Sequence, residues 1–153
     1  DLKDALPPFY HEFSKNNIYN NQSSENMKDL ATSSVDLIVT SPPFLDKVNY
    51  QADNWMKTWF LGIEEKNTGK ISMFHSVDAW TNFISKTLKE CSRVMKKNAH
   101  MVIEVGDVTS GKNIINLDDI VLKASVGTNL EWKRTYINSQ KFTKLSNCWN
   151  VFN

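Results

Sequence analysis

The alternation of apolar and polar positions divides the chain into short apolar runs and stretches of helical period. Residues 35–40, Val-Asp-Leu-Ile-Val-Thr, form a β-branched run that is typical of a buried strand in a parallel sheet. Residues 77–96 repeat apolar positions at the spacing of an amphipathic helix, and Ser76 precedes them as a cap. A second apolar run, residues 99–105, follows. The pattern predicts two parallel strands, with residues 35–40 central and buried, joined by a right-handed helical crossover.

Weaker patterns predict further elements around this unit. They are a strand at residues 18–22 leading into a short helix, helices at residues 53–61 and 117–126, and a strand at residues 130–137. The tryptophans of the 53–61 segment share one apolar face, which predicts packing in the core, with base stacking as the alternative. Strands that alternate with helices predict an α/β fold with a partial, doubly wound, mostly parallel sheet of Rossmann-like type.

Composition and charge limit the possible functions. A chain of 153 residues with a formal net charge of +1 is expected to form one domain, and any DNA-binding surface would have to be local. No apolar run is long enough to span a membrane and no signal pattern is visible, so a cytoplasmic location is expected. Cys91 and Cys148 lack metal-ligand spacing and are interpreted as reduced thiols; no metal site is predicted.

The run at residues 35–40 ends in an unusual polar and proline-rich segment, Thr40-Ser41-Pro42-Pro43-Phe44. Neither proline has an N–H group, so strand pairing stops there and the backbone leaves the sheet in a fixed direction. This places Ser41 and Phe44 in a rigid loop at the carboxyl end of a strand, where open α/β sheets bind ligands. A surface turn that contains two prolines is the alternative.

This segment resembles the catalytic motif of the DNA amino-methyltransferases, which transfer a methyl group from S-adenosylmethionine to an exocyclic nitrogen of a base. The resemblance implies that Ser41, Pro42, Pro43 and Phe44 are catalytic residues. The Ser41 side chain and the Pro42 carbonyl would accept hydrogen bonds from the amino group, and Phe44 would stack on the flipped base. A serine in the first place usually accompanies cytosine N4, with adenine N6 as the alternative. DNA is the implied substrate, in methylation of the restriction–modification type.

The same resemblance implies that Gln22, Ser23 and Thr40 contact S-adenosylmethionine. Gln22 occupies the place where relatives usually carry an acid, although an amide can still hydrogen-bond a ring amine. A polar strand end without cofactor contact is the alternative. Relatives also carry a glycine-rich cofactor loop, whereas no two of the five glycines here are spaced Gly-x-Gly. Residues 17–153 are therefore interpreted as a partial catalytic domain that lacks this loop. Residues 1–16 are interpreted as an irregular lead-in, because Pro7 and Pro8 exclude regular structure there.

Two hypotheses of different class follow from the missing loop. The first is a cytosine-N4-type DNA methyltransferase whose cofactor loop is supplied elsewhere, so that binding of S-adenosylmethionine by this chain alone is weak. The second is a non-catalytic module of the same half-fold that binds DNA or a partner subunit. Because an incomplete sheet leaves an edge and apolar surface uncovered, we expect self-association or a partner chain.

Overall fold

A parallel strand pair, a hairpin and a long helix make up most of the regular secondary structure in the described residues. The computed structural model describes residues 17–45, 50–63, 73–110 and 113–137. In chain order the elements are β1 (Val35–Thr40), α1 (Tyr50–Asp53), α2 (Trp55–Phe60), α3 (Val77–Val94), β2 (Met95–Ile103), β3 (Val108–Ser110), β4 (Asn113–Ile115) and α4 (Leu117–Ala124). β1 pairs with β2 in parallel, and β3 pairs with β4 as an antiparallel hairpin. This mixture of helices and a parallel sheet is compatible with an α/β fold.

Helix α3 forms where the apolar period predicted it. The Ser76 side chain accepts a hydrogen bond from the backbone N–H of Ala79 at 3.2 Å, which satisfies a donor of the first turn. The apolar face of α3 is buried, and α4 packs on the helix. The helix ends two residues before the predicted end, because Met95 adopts an extended conformation (φ −69°, ψ 139°) and begins β2 directly. The core comprises Leu45, Trp80, Phe83, Ile84, Leu88, Val108, Leu117 and Ala124.

The parallel pairing of the two apolar runs is confirmed. Leu37 lies beside His100 and Val39 beside Val102, while Met101, at an alternate position of β2, packs against the core. The register shifts near the start of β1, where Val35 lies beside Met95, so β2 carries extra residues there. Asn98 lies within this bulge and has a φ of 65°, a left-handed conformation that asparagine tolerates better than most residues.

The prediction that β1 is central and buried is wrong for the described part of the chain. β1 has β2 as its one neighbour there, and Leu37, Val39 and Val102 are 58%, 70% and 55% exposed. These three residues, here called the open sheet face, lie opposite the face whose Met101 packs against the core. The strand has apolar residues on both faces, which led to the expectation that a layer of helices covers each face. In the described residues only one of the two faces is covered. The doubly wound arrangement stays a prediction.

Three weaker predictions are wrong. Residues 18–22 form no strand, and the following segment makes turns rather than a helix. Residues 130–137 have no regular structure, although their composition favours a strand. A strand needs a partner, and neither segment has one within the described residues, which leaves Tyr19 91% and Ile137 79% exposed. The hairpin of β3 and β4 was not predicted, because its strands have only three residues each.

The predicted helix at residues 53–61 forms as α2, Trp55–Phe60, and the short helix α1 before it was not predicted. Gly62 follows α2 with a φ of 63° and its N–H bonds the carbonyl of Trp59, so the predicted glycine stop is confirmed. The predicted core packing of its aromatic face is wrong, because Trp55 and Trp59 are 59% and 74% exposed. The helix at residues 117–126 is confirmed in position and ends at Ala124.

Two side chains of α3 hold the segment before β1. The Arg93 guanidinium donates to the carbonyls of Met27 and Leu30 at 3.0 Å and to both carboxylate oxygens of Glu90. Glu90 in turn accepts from the backbone N–H of Met27 at 2.8 Å. Residues 23–34 contain no helix or strand. This arrangement, here called the Glu90–Arg93 clamp, holds their backbone against α3 by hydrogen bonds from side chains.

Several smaller observations complete the fold. Cys91 is a free thiol in the core, and burial raises its pKa, which keeps it protonated. Cys148 and the residues 1–16 lie outside the described part of the chain. In that part, no helix combines the length and the hydropathy that crossing a bilayer requires.

We predict that the contribution of the clamp to the stability of the folded state depends on pH. The hydrogen bond from Arg93 lowers the pKa of Glu90 in the folded state, and that side chain is 15% exposed. A carboxyl with a lowered folded pKa contributes stability above its unfolded pKa and loses it as the pH falls through the folded pKa. Glu90→Gln should therefore lower the melting temperature near pH 7, and the difference from the wild type should shrink progressively as the pH falls below 4.5, the ordinary pKa of the group.

The matched control is Glu131→Gln. Glu131 pairs with Lys133 at 2.7 Å on an irregular, exposed segment, where an ion pair contributes little. This variant should melt like the wild type at every pH. A Glu90→Gln deficit that stays constant from pH 7 to pH 3 would show that the carboxylate charge is not what stabilises the clamp.

Candidate functional site

The proline-rich loop leaves the sheet at the carboxyl end of β1. The carbonyl of Thr40 accepts a hydrogen bond from the backbone N–H of Glu104 at 2.9 Å, so the strand pairing is maintained up to the start of the loop. Ser41 is exposed, and the two prolines and Phe44 are partly buried. Leu45, at the end of the loop, is 3% exposed and forms a parallel bridge with Phe74. Both ends of the segment are thus attached to the body of the protein.

The middle of the loop is attached to α3. The indole Nε1–H of Trp80 donates to the carbonyl of Pro43 at 2.8 Å, and Trp80 is fully buried. A buried indole N–H without an acceptor is costly, and a proline-rich segment offers carbonyl groups but few amide donors. The sequence placed Trp80 on the buried face of the helix. No pattern in the sequence indicated that the acceptor of its indole N–H would lie 37 residues earlier in the chain.

A cavity of about 90 Å³ lies between this loop and α3. Its lining combines four residues with hydroxyl groups, two prolines and four apolar residues. It is lined by Ser24, Thr40, Ser41, Pro42, Pro43, Phe83, Ile84, Thr87, Leu88 and Ile103. The hydroxyls of Ser24 and Thr87 are hydrogen-bonded to each other at 3.2 Å. None of the lining side chains is an acid, an imidazole or an amine, so this cavity offers neutral hydrogen-bonding groups.

The structure brings some of the candidate residues together and leaves others apart. Thr40, Ser41 and the two prolines share the cavity. Gln22 and Ser23 are exposed and do not line it. The Ser23 hydroxyl interacts with the backbone N–H and the carboxylate of Glu25, both at 3.3 Å, within a local turn.

Ser24 lies in the cavity wall and was missed as a candidate. It reaches the cavity because the Glu90–Arg93 clamp holds the following backbone, residues 27–30, against α3. Ser24 follows Ser23 directly in the sequence, and no local pattern separates the two serines. Its position depends on long-range hydrogen bonds that span more than 60 residues.

The acidic groups near this edge of the sheet lie outside the cavity wall. Asp107 follows β2, and burial together with the charge of Asp118 raises the pKa of its carboxyl. Among the described residues, no cluster of three or more histidine, cysteine or acidic side chains could hold a metal ion. The loop therefore offers neutral acceptors, an exposed serine and a partly buried aromatic ring at the carboxyl end of a parallel strand.

Comparison with known families identifies a match over most of the chain. A family model described as DNA methylase, for the N6 and N4 methyltransferases, matches residues 35–153. The match begins with β1 and includes the loop and the cavity wall from Thr40 onward, whereas Gln22, Ser23 and Ser24 precede it. No significant match was found among curated proteins or among solved structures.

Proposed function

The chain belongs to the DNA methylase family of the N6 and N4 methyltransferases, and we propose that it carries the catalytic motif of a cytosine-N4-type enzyme. Family membership supports methyl transfer to DNA in general and a general dependence on S-adenosylmethionine. The choice of cytosine N4 depends on Ser41 in the first place of the motif.

The observation that carries the proposal is the placement of Ser41 and Pro42. Both lie directly after β1, Ser41 is exposed, and the loop is attached at each end. An amino group conjugated to a base ring is a poor nucleophile because its lone pair is delocalised. Two acceptors that bind its hydrogens, the Ser41 hydroxyl and the Pro42 carbonyl, favour a pyramidal nitrogen with a localised lone pair. Acceptors that strengthen their bonds as the nitrogen becomes pyramidal act mainly on the transition state.

Phe44 is proposed to hold the flipped base by stacking. It comes two residues after Pro42, and its ring is partly buried, so the body of the protein limits the orientations that the ring can adopt. Flipping costs the stacking and pairing of the base in the duplex, and an aromatic platform recovers part of that free energy. The ring and the two acceptors would then define where the exocyclic nitrogen lies.

The cofactor fits the described residues only in part. A cavity of about 90 Å³ is well below the roughly 300–1,000 Å³ of pockets that enclose a ligand of this size. No Gly-x-Gly spacing is available for close backbone approach. S-adenosylmethionine supplies the methyl group when bound. We propose that Thr40, Gln22 and Ser23 contact one end of the cofactor and that the remaining contacts come from outside this sequence.

The open sheet face supports a proposal about partners. Leu37, Val39 and Val102 form an exposed apolar surface on the strand pair. Within the described residues, no third strand pairs with β1 or β2. Such surfaces are usually covered in a working protein. We propose that a second copy or a partner chain covers this face and that the partner carries the cofactor loop.

The direct test of the proposed function identifies the methylated base. The complete enzyme is incubated with S-adenosylmethionine and unmethylated DNA, and the DNA is digested to nucleosides for mass spectrometry. We expect N4-methylcytosine, and we expect Ser41→Ala to lower kcat by about tenfold or more with a smaller change in KM. N6-methyladenine would contradict the cytosine target, an unchanged kcat would remove Ser41 from the mechanism, and no methylation would favour the non-catalytic module.

A second prediction concerns Phe44. Phe44→Ala should weaken binding of DNA by the free energy of one stacked base, about 1–3 kcal/mol, and leave the affinity for S-adenosylmethionine nearly unchanged. Both affinities are measured by titration of the same preparation. Phe60→Ala is a matched control, because that ring is 83% exposed on α2 and no role is proposed for it. Equal losses of DNA and cofactor affinity in Phe44→Ala would count against stacking.

A third prediction concerns the chain on its own. The 153-residue chain should bind S-adenosylmethionine weakly in calorimetry, show no detectable methyl transfer, and sediment as more than a monomer. The first two follow from the small cavity and the missing glycine loop, and the third from the open sheet face. Tight, stoichiometric binding of the cofactor by a monomer would contradict all three arguments together.

A further inference from the structure

The hydrogen bond between Trp80 and Pro43 restrains the part of the loop that is hardest to fix. Each proline ring already sets its own φ near −65°, and the described residues contain no cis peptide bond. The main remaining freedom between Ser41 and Phe44 is therefore rotation about ψ of Pro42 and of Pro43. A 2.8 Å hydrogen bond to the Pro43 carbonyl fixes the direction of that peptide plane, and with it ψ of Pro43.

The donor in this bond is itself immobile. Trp80 is 0% exposed, belongs to the core and lies in the first turn of α3, whose N-terminal cap is formed by Ser76. An indole that cannot change its rotamer transfers the rigidity of the helix to its acceptor. The loop is thus oriented by α3 in its middle, by the sheet at Thr40 and by the bridge at Leu45.

We propose that Trp80 is a positioning residue for methyl transfer. Its indole N–H holds the Pro43 carbonyl toward the helix, and this fixes the angle between the acceptors at Ser41 and Pro42 and the ring of Phe44. The role rests on the proposed function of that motif. Trp80 touches neither base nor cofactor in this mechanism, and it acts through the orientation of the loop.

The expected signature is a change in turnover rather than in binding. A misplacement of reacting groups by a fraction of an ångström lowers the rate strongly, while the surfaces that bind DNA and cofactor remain present. Trp80→Phe removes the N–H and keeps an aromatic ring in the core. In the complete enzyme it should lower kcat about tenfold, with KM for DNA and for S-adenosylmethionine changed less than about twofold.

Loss of core packing is the competing explanation, and two further variants separate it. Leu117→Ala truncates a core residue of α4 whose side chain is 1% exposed. Leu117 does not line the cavity, and its side chain cannot hydrogen-bond the loop. The variant should lower the melting temperature at least as much as Trp80→Phe and leave kcat close to the wild type at a temperature where both are folded. Replacing Trp80 by benzothienylalanine keeps the bicyclic shape and removes only the N–H, so it should reproduce the loss of kcat.

The outcomes distinguish this inference from the proposed function. Wild-type enzyme without any methyl transfer would overturn the function and the role of Trp80 with it. Active wild type with a normal kcat in both Trp80 variants would overturn the positioning role alone. A kcat that falls in Leu117→Ala as much as in Trp80→Phe would assign the effect to general loosening of the core and would also overturn it.

Discussion

Burial of one face of α3 is the constraint on which the rest of the structure depends. Its apolar residues form half of the core, against one face of the parallel strand pair, the hairpin and α4. The same helix provides Trp80, which bonds the proline loop, and the Glu90–Arg93 clamp, which bonds the segment before β1. It then continues directly into β2. Neither segment of the site has helix or strand of its own, so α3 determines where both lie.

This dependence explains which parts of the protein could be predicted from sequence. The helix at α3 and the pairing of the two apolar runs followed from periodicity, because a long amphipathic helix between two apolar strands has few alternative arrangements. The proline loop was located because its residue types exclude regular structure. The segments at residues 18–22 and 130–137 were assigned wrongly, since a short run of strand-forming residues becomes a strand only beside a partner.

The candidate site was predictable in its backbone and not in its side-chain contacts. Thr40, Ser41 and the prolines share one cavity, as expected of neighbours in sequence. Ser24 and Trp80 enter the site through hydrogen bonds between residues far apart in the chain, and such pairings leave no trace in local pattern. The exposure of Leu37 and Val39 could not be predicted either. Apolar residues on both faces of a strand do not show whether another layer of the protein covers each face.

The register of β1 on β2 has a consequence for the order in which the protein folds. Leu37 lies beside His100, so the pairing closes a loop of more than 60 residues, whereas α3 forms from local contacts. Closure entropy grows with the logarithm of loop length, and contacts that are distant in sequence tend to form late. We therefore expect the helix to exist before β1 is recruited to it. The proline loop, which has no secondary structure of its own, would acquire its shape in the final stage of folding, and partly folded chains would lack the site altogether.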